Sequence, residues 1–391
     1  MPWKKLSKEE QRFDLVRQMA RGEHTVSELA RRFRISRQTA YKWRGRFRRR
    51  RLRGLQDRSR RPLAGPARTT VNWQRRVRTL RLRRPTWGAR KLRHQLARRH
   101  GPQGVPAVAT LGRWLRRWGL SRGRRRRGRG PVLRRRALLQ PQACHEVWTV
   151  DFKGWYRTGD GTRVEPLTVR DLKSRYGLGI VLLSSQAVAP TQQAFRRLFA
   201  RHGYPQRIRC DNGAPFGGGG PTGLTRLSAW WVQLGIVVEF ITPGRPCENG
   251  AHEQFHRVYK AEAVRSPART GPEQQRRTDR WLRHYNQERP HEGLGMKTPA
   301  EVYRKNRQRR PWRRGRWQYA AGWSESRVAG NGEIRWRGRG WPIGEAFAGS
   351  RVGLRPLRGG RWRVYFGGIV VGDLYEKEVG GLRAARYAAG G

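Results

Sequence analysis

The chain has 391 residues and carries 88 Lys and Arg against 27 Asp and Glu, a formal charge of +61. A length of this kind suits two to four domains, and so large a self-repelling excess calls for a polyanion, with nucleic acid ahead of an anionic membrane surface. Its 17 Trp, 11 Tyr and 11 Phe exclude a disordered basic tail, and the isolated Cys144, Cys210 and Cys247 form no zinc or disulfide framework.

The N-terminal stretch lacks the apolar centre of a signal peptide, and no apolar run has membrane length. A reducing, intracellular setting with no membrane partner is therefore expected. Residues 1–50 are expected to form a helix-turn-helix domain. Phe13 and Val16 share a helical face, and Gly22 stops that helix. Thr25 followed by Glu28 is a capping box opening a second helix with Leu29, Ala30 and Phe33 inward. Ser36 caps a third helix that turns Ala40 and Trp43 inward and Arg37, Gln38, Tyr41, Lys42 and Arg44 outward. That outward face can read DNA, because arginine and glutamine near the start of a recognition helix reach base edges. A solvated face on a plain three-helix bundle is the bland alternative.

Residues 51–68 read as a basic linker. Residues 69–120 read as a second helical, helix-turn-helix-like domain, with Trp73, Val77 and Leu80, then Leu92 and Leu96, then Leu111, Trp114, Leu115 and Trp118 at helical spacing. The loose turn at Gly101–Pro106 leaves a purely packing spacer as the alternative. Residues 121–141 form an Arg/Gly-rich linker suited to tracking phosphates.

Residues 142–304 change character. Strands are expected at 146–152, 163–169, 176–183, 207–210 and 236–241, and helices at 190–202, 224–234, 249–263 and 273–287, which together make a mixed α/β sheet domain. The Gly217–Gly220 run is expected to be loose. A basic linker at 305–319 leads to short strands with glycine turns over 320–380, expected as a small all-β barrel, then a loose tail, 381–391.

In so basic a chain, acids at strand ends stand out. Asp151 ends the run from Val147, and Asp211 ends Ile208–Cys210; both leave the same sheet edge if their strands are neighbours. Glu253 lies one turn into a helix on which Asn249, Glu253, His256 or Arg257, and Lys260 share a face. Magnesium takes hard oxygen ligands, and two such ions can activate an attacking oxygen and stabilise a leaving one. Singly, Asp151 reads as a strand-end cap, Asp211-Asn212-Gly213 as a turn, and Glu253 as a partner for Arg257. Asp171 and Glu262 read as structural, in a hairpin turn and on an exposed helix face. Arg289, Pro290 and His291 read as a packing motif. His252 and His256 have the spacing of a zinc pair, but no third soft ligand is near in sequence, which argues against zinc.

The acid in WTVDF (Asp151), the DNG of Asp211–Gly213, the stretch ENGAHEQFHRVYKAE from Glu248, and YNQERPHEGLGMKTPAEVY from Tyr285 to Tyr303 together resemble insertion-sequence transposases of the DDE/retroviral-integrase superfamily. The resemblance is strongest over 145–303. It implies an RNase H-like integrase core in which Asp151, Asp211 and Glu253 are catalytic and bind two Mg2+ ions, with Mn2+ able to substitute. It further implies cleavage at the element's ends and strand transfer into target double-stranded DNA by a homo-oligomer in the prokaryotic cytoplasm, at the nucleoid. Arg257 and Lys260 are then expected to contact DNA. A non-catalytic DNA-binding regulator and a simple metal-dependent nuclease are the rival functions.

Overall fold

A computed structural model describes residues 7–57, 71–121, 138–220, 222–242, 246–312, 317–377 and 382–383. The chain forms two units, Met1–Arg68 and Thr69–Gly391. The Arg/Gly-rich run at 122–137 and most of the expected tail lie outside the described residues.

In the first unit, α1 (Lys8–Arg21), α2 (Val26–Arg32) and α3 (Arg37–Arg50) enclose Leu15, Val16, Leu29, Ala40, Trp43 and Leu55. The caps are those expected: Gly22 ends α1 in the left-handed region, Thr25 and Glu28 form a reciprocal box, and the Ser36 side chain accepts from the Thr39 amide. Two expectations fail. Phe13 is 39% exposed, and Leu15 takes the inward place beside Val16. Residues 51–57 are not linker: Arg51–Leu55 make a short 3-10 turn that buries Leu55. Arg12 ties that turn down, donating to Leu55 O at 2.7 Å and to Asp57 at 2.8 Å. Gly54 is obligatory there, since a Cβ would lie 2.3 Å from Arg46 O.

The second unit opens with α4 (Val71–Arg83), α5 (Ala89–His100) and α6 (Val108–Arg117), packed around Val77, Leu80, Trp87, Leu92, Leu96, Leu111 and Leu115. This helical module is fastened to the sheet domain that succeeds it in the chain. Arg84 pairs with Glu288, Arg90 with Glu292 and Arg98 with Glu301. These pairs are half-exposed and individually weak. At the centre Glu262 is mostly buried; it accepts from Thr86, Trp281 and Arg289. Glu262 is thus a structural acid but not on an exposed face as expected.

A mixed sheet carries the core. Its strands are β1 (Val147–Phe152), β2 (Tyr156–Arg157), β3 (Arg163–Asp171), β4 (Gly177–Leu183), β5 (Arg207–Cys210) and β6 (Val237–Phe240). The order is β2-β3-β1-β5-β6, with β4 also on β3; β1–β5 and β5–β6 are parallel, the rest antiparallel. Alternation along β1 sends Trp148 and Val150 into a cluster with Phe195 and Phe199 of α7 (Val188–His202) and Trp231 of α8 (Arg226–Gln233). Thr149 points the other way, toward α9 (Gly250–Tyr259). On that side Phe255 and Tyr259 pack with Trp281, Leu282 and Tyr285 of α10 (Gly271–Glu288). The outer side of β4 is capped by α10: Asn286 bonds both the N–H and C=O of Gly177, at 2.8 and 2.9 Å, and Gln275 bonds Leu182 N–H and Ile180 C=O, both at 2.9 Å.

Thr298 caps the short α11 (Pro299–Val302), and Tyr303 stacks on Tyr176 with centroids 4.1 Å apart. The described start of the expected basic linker is pinned to the core: Tyr204 donates to Gln308 O at 2.9 Å, and Trp312 to Pro205 O at 2.7 Å. The expected loose glycine run is likewise folded back, with Gly217 bridged to Leu224.

The C-terminal region is all β. A four-stranded antiparallel sheet runs β12 (Ile369–Tyr375), β11 (Arg361–Phe366), β10 (Arg351–Leu357), β7 (Ser324–Arg327), beside a β8 (Glu333–Trp336) and β9 (Arg339–Pro342) hairpin. The described strands do not close into a barrel. Their core, with Val352, Leu354, Val364 and Phe366, reaches Ala229 and Val232 of α8.

The Asn286 clamp is testable. Replacing Asn286 by Ala strands two buried backbone groups, so unfolding in urea should show a loss of about 2–4 kcal/mol. Gln275→Ala, at a half-buried position, should lose less. Equal or negligible losses from the two variants would refute the clamp.

Candidate active site

β1 and β5 run side by side in parallel, with Val147 opposite Arg207 and Thr149 opposite Arg209. Two residues further along each strand come Asp151 and Asp211, so the chain delivers both acids to one end of the sheet. Burial pushes Asp151 up to about 7, reinforced by the charge of Asp211 and, less, of Glu253; the Phe152 amide and Lys153 oppose the rise. Burial also raises Asp211, against the pull of the Gly213 amide. A cation beside two such half-buried carboxylates would relieve the cost of their charged forms.

The DNG turn holds Asp211 in place. Asn212 donates to Ile241 O at 2.6 Å, tying β5 to the end of β6. Gly217 folds back over that turn, where a Cβ would lie 2.5 Å from Asn212 O.

α9 divides its side chains sharply. Glu253, Arg257 and Lys260 are exposed and share one face, whereas His252 and His256 are buried against the sheet. The alternative left open by spacing, His256 or Arg257 beside Glu253, is resolved in favour of Arg257. Asn249 stands at the N-cap but makes no capping bond, and its Oδ1 is buried without a partner.

The two histidines join a latch. The Thr168 hydroxyl lies 2.9 Å from Asp151 O and 2.6 Å from Nε2 of both His252 and His256. A carbonyl can only accept, so the single Thr168 proton goes to Asp151 O, and both imidazoles donate from Nε2. His252 Nδ1, 2.8 Å from Thr149 Oγ1, then accepts from it. Burial lowers both histidines, His256 to about 3 with help from Lys153 and Arg170, so both are neutral. His256 Nδ1 is left with its lone pair 3.6 Å from Asp151 Oδ2. Asp151, His252 and His256 are close enough to hold a metal, but both nitrogens of His252 are committed to threonines.

Sequence reasoning missed this latch and also Lys153, whose charge reaches Asp151 and His256. Lys153 was findable: it lies two residues beyond Asp151 along an extended run. Asp171 is the structural acid expected, fully buried and accepting from the amides of His145 and Ser174 and from the Ser174 hydroxyl. In the first unit, Arg37, Gln38, Tyr41 and Lys42 are exposed on α3, and the half-buried Arg44 lies 5.0 Å over the Tyr41 ring.

Several known families and proteins resemble parts of the chain. The integrase core domain family matches residues 234–299, and the C-terminal domain of IS481 family transposases matches 325–379. A helix-turn-helix domain matches 11–62 and a homeodomain-like domain 39–115. A 31.7 kDa uncharacterized protein of insertion element IS407 from Burkholderia multivorans is 29% identical over 57% of this chain and 78% of its own length. A 39.2 kDa uncharacterized protein of IS476 from Xanthomonas euvesicatoria is 30% identical over 46% of this chain and 50% of its own. Among solved structures, the HTLV-2 integrase catalytic core in complex with magnesium aligns at 15% identity and TM-score 0.31, over 42% of this chain and 100% of that one. The simian T-cell lymphotropic virus intasome in complex with PP2A regulatory subunit B56 gamma aligns at 13% and 0.37, over 75% and 97%. Helix-turn-helix modules, an integrase core and an IS481-type C-terminal domain are thus matched along one chain that resembles proteins of insertion elements, and the protein is a DNA transposase.

Proposed function

We propose that Asp151, Asp211 and Glu253 are the catalytic, metal-binding carboxylates, and that the enzyme cuts at its element's terminal repeats and joins the freed 3′ ends to target DNA. The observation that carries this reading is the pair of half-buried acids on adjacent parallel strands, one of them pushed up to about 7 partly by the other's charge. Their oxygen donors suit Mg2+, and Mn2+ as a substitute. Two such ions would supply Lewis-acid stabilisation of the attacking and leaving oxygens.

The chain's own groups set the geometry. Thr168 and His256 hold β1 and α9 together beside Asp151, and Asn212 fixes the strand end that bears Asp211. Arg257 and Lys260, exposed on the face that carries Glu253, would hold the phosphate chain. Arg37, Gln38, Tyr41, Lys42 and Arg44 make the α3 face that reads the terminal repeats. Two ends must be cut and joined together, so the active species is a homo-oligomer on DNA. No described helix is long and apolar enough to cross a membrane, in keeping with action at the prokaryotic nucleoid.

Three outcomes are expected. With DNA bearing the flanking ends and Mg2+, wild type should yield joined products, and Glu253→Gln should lose on the order of 100-fold or more while binding the ends as tightly. Cleavage without joining by wild type would instead identify a nuclease. Chelation of divalent ions should abolish both products and leave gel-shift binding intact; activity surviving chelation would overturn the metal-dependent reading. Arg37→Ala should weaken binding to the terminal repeat by about 1–3 kcal/mol and barely change binding to random duplex. Equal losses on both DNAs would make Arg37 a phosphate contact.

A further inference from the structure

The motif running from Tyr285 to Tyr303 is not consumed by the chemistry, and part of it lines a second feature. Between the helical module and the core lies a small cavity walled by Lys91 of α5, Arg170 at the end of β3, Arg175 in the turn after it, and Arg289 and His291 just beyond α10, with Gln254 at its edge. It offers about 10 Å³ of free space, the room of one water-sized particle.

The charge here is out of balance. Arg289 is paired with Glu262 at 3.2 Å, but among the described residues no acid lies within ion-pair distance of Lys91, Arg170 or Arg175. The nearby acids are engaged elsewhere: Glu292 with Arg90, and Asp171 with three donors of its own. Arg170 is 2% exposed; one of its nitrogens donates to Ala251 O and its guanidinium covers the Phe255 ring, yet its Nε has no partner. His291, 8% exposed, likewise leaves Nε2 unpartnered. Burial and the charge of Arg289 push Lys91 down to about 8, against the opposing pull of Glu292 and Glu262, and burial with the neighbouring cations pushes His291 to about 2. Gly293 leaves the room that Arg175 needs: a Cβ there would sit 2.4 Å from Arg175 Nη2.

We propose that this cavity binds one monatomic anion, chloride in ordinary media, which offsets part of the cluster's charge and joins the helical module to the core. Lysine and arginine only donate, and neutral imidazole can donate from Nε2. Most polar groups of the lining donate, Gln254 and Tyr285 being the ones that can also accept; a water would have to place two protons of its own among them, whereas a halide only accepts and can take several donors at once. Arg170 is the buried cation without an acid here, with Lys91 and Arg175 half-buried beside it, and a buried charge without a counter-charge is costly. The partners come from both sides of the seam, so the ion acts as a fastener.

Crystals of the full chain grown in sodium bromide should give an anomalous peak in this cavity. Its absence, with bromide visible at surface arginines, would overturn the proposal, as would a polyatomic phosphate reaching in from outside with no halide. In solution, exchanging chloride for gluconate at constant ionic strength should lower the Tm of wild type by about 2–4 °C. Arg175→Met, and Lys91→Met if the first does not fold, should unfold at a Tm indifferent to the exchange. Equal sensitivity in wild type and variants would mean a diffuse surface effect and no site.

Discussion

Like-charge repulsion is the constraint on which this structure depends. With 88 cations against 27 acids, each inward-facing carboxylate matters. Glu239 meets the buried Arg209 at 2.7 Å, Asp373 meets Arg363 at 2.8 Å inside the C-terminal sheet, and Glu262 gathers donors from three segments at the module seam. Asp151 and Asp211 are treated differently. They sit beside each other at a strand end, with a neutral imidazole and a lysine near Asp151 and Glu253 adding to the repulsion. An acid pair of this kind in so basic a chain suits the metal ions proposed for it.

Local chemistry was legible and tertiary commitments were not. The caps at Thr25 and Ser36 were readable because each is settled within four residues. The strand ends at Asp151 and Asp211 were readable because apolar runs stop there. Glu262 was misassigned because its partners lie far away in the chain, at Thr86, Trp281 and Arg289. The turn at 51–55 and the segment near 308 looked like linkers by charge alone; a single apolar residue, Leu55, and a few backbone bonds made by Tyr204 decide otherwise. The histidine pair had the spacing of metal ligands, and only the threonines facing it across the sheet show its commitments.

The long motif after Tyr285 gains its meaning from geometry. Asn286 clamps β4, Arg289 and His291 face the helical module, Thr298 starts a helix, and Tyr303 closes over Tyr176. The described C-terminal strands, expected as a small barrel, form open sheets resting on α8.

The amides along the outer side of β4 also bear on assembly. Asn286 and Gln275 occupy the backbone groups that another strand would need. Copies of the core therefore cannot join by continuing the sheet across this rim. Whatever brings subunits together there must work through side chains or through shared DNA, and such contacts can be made and undone without unravelling a hydrogen-bonded ladder.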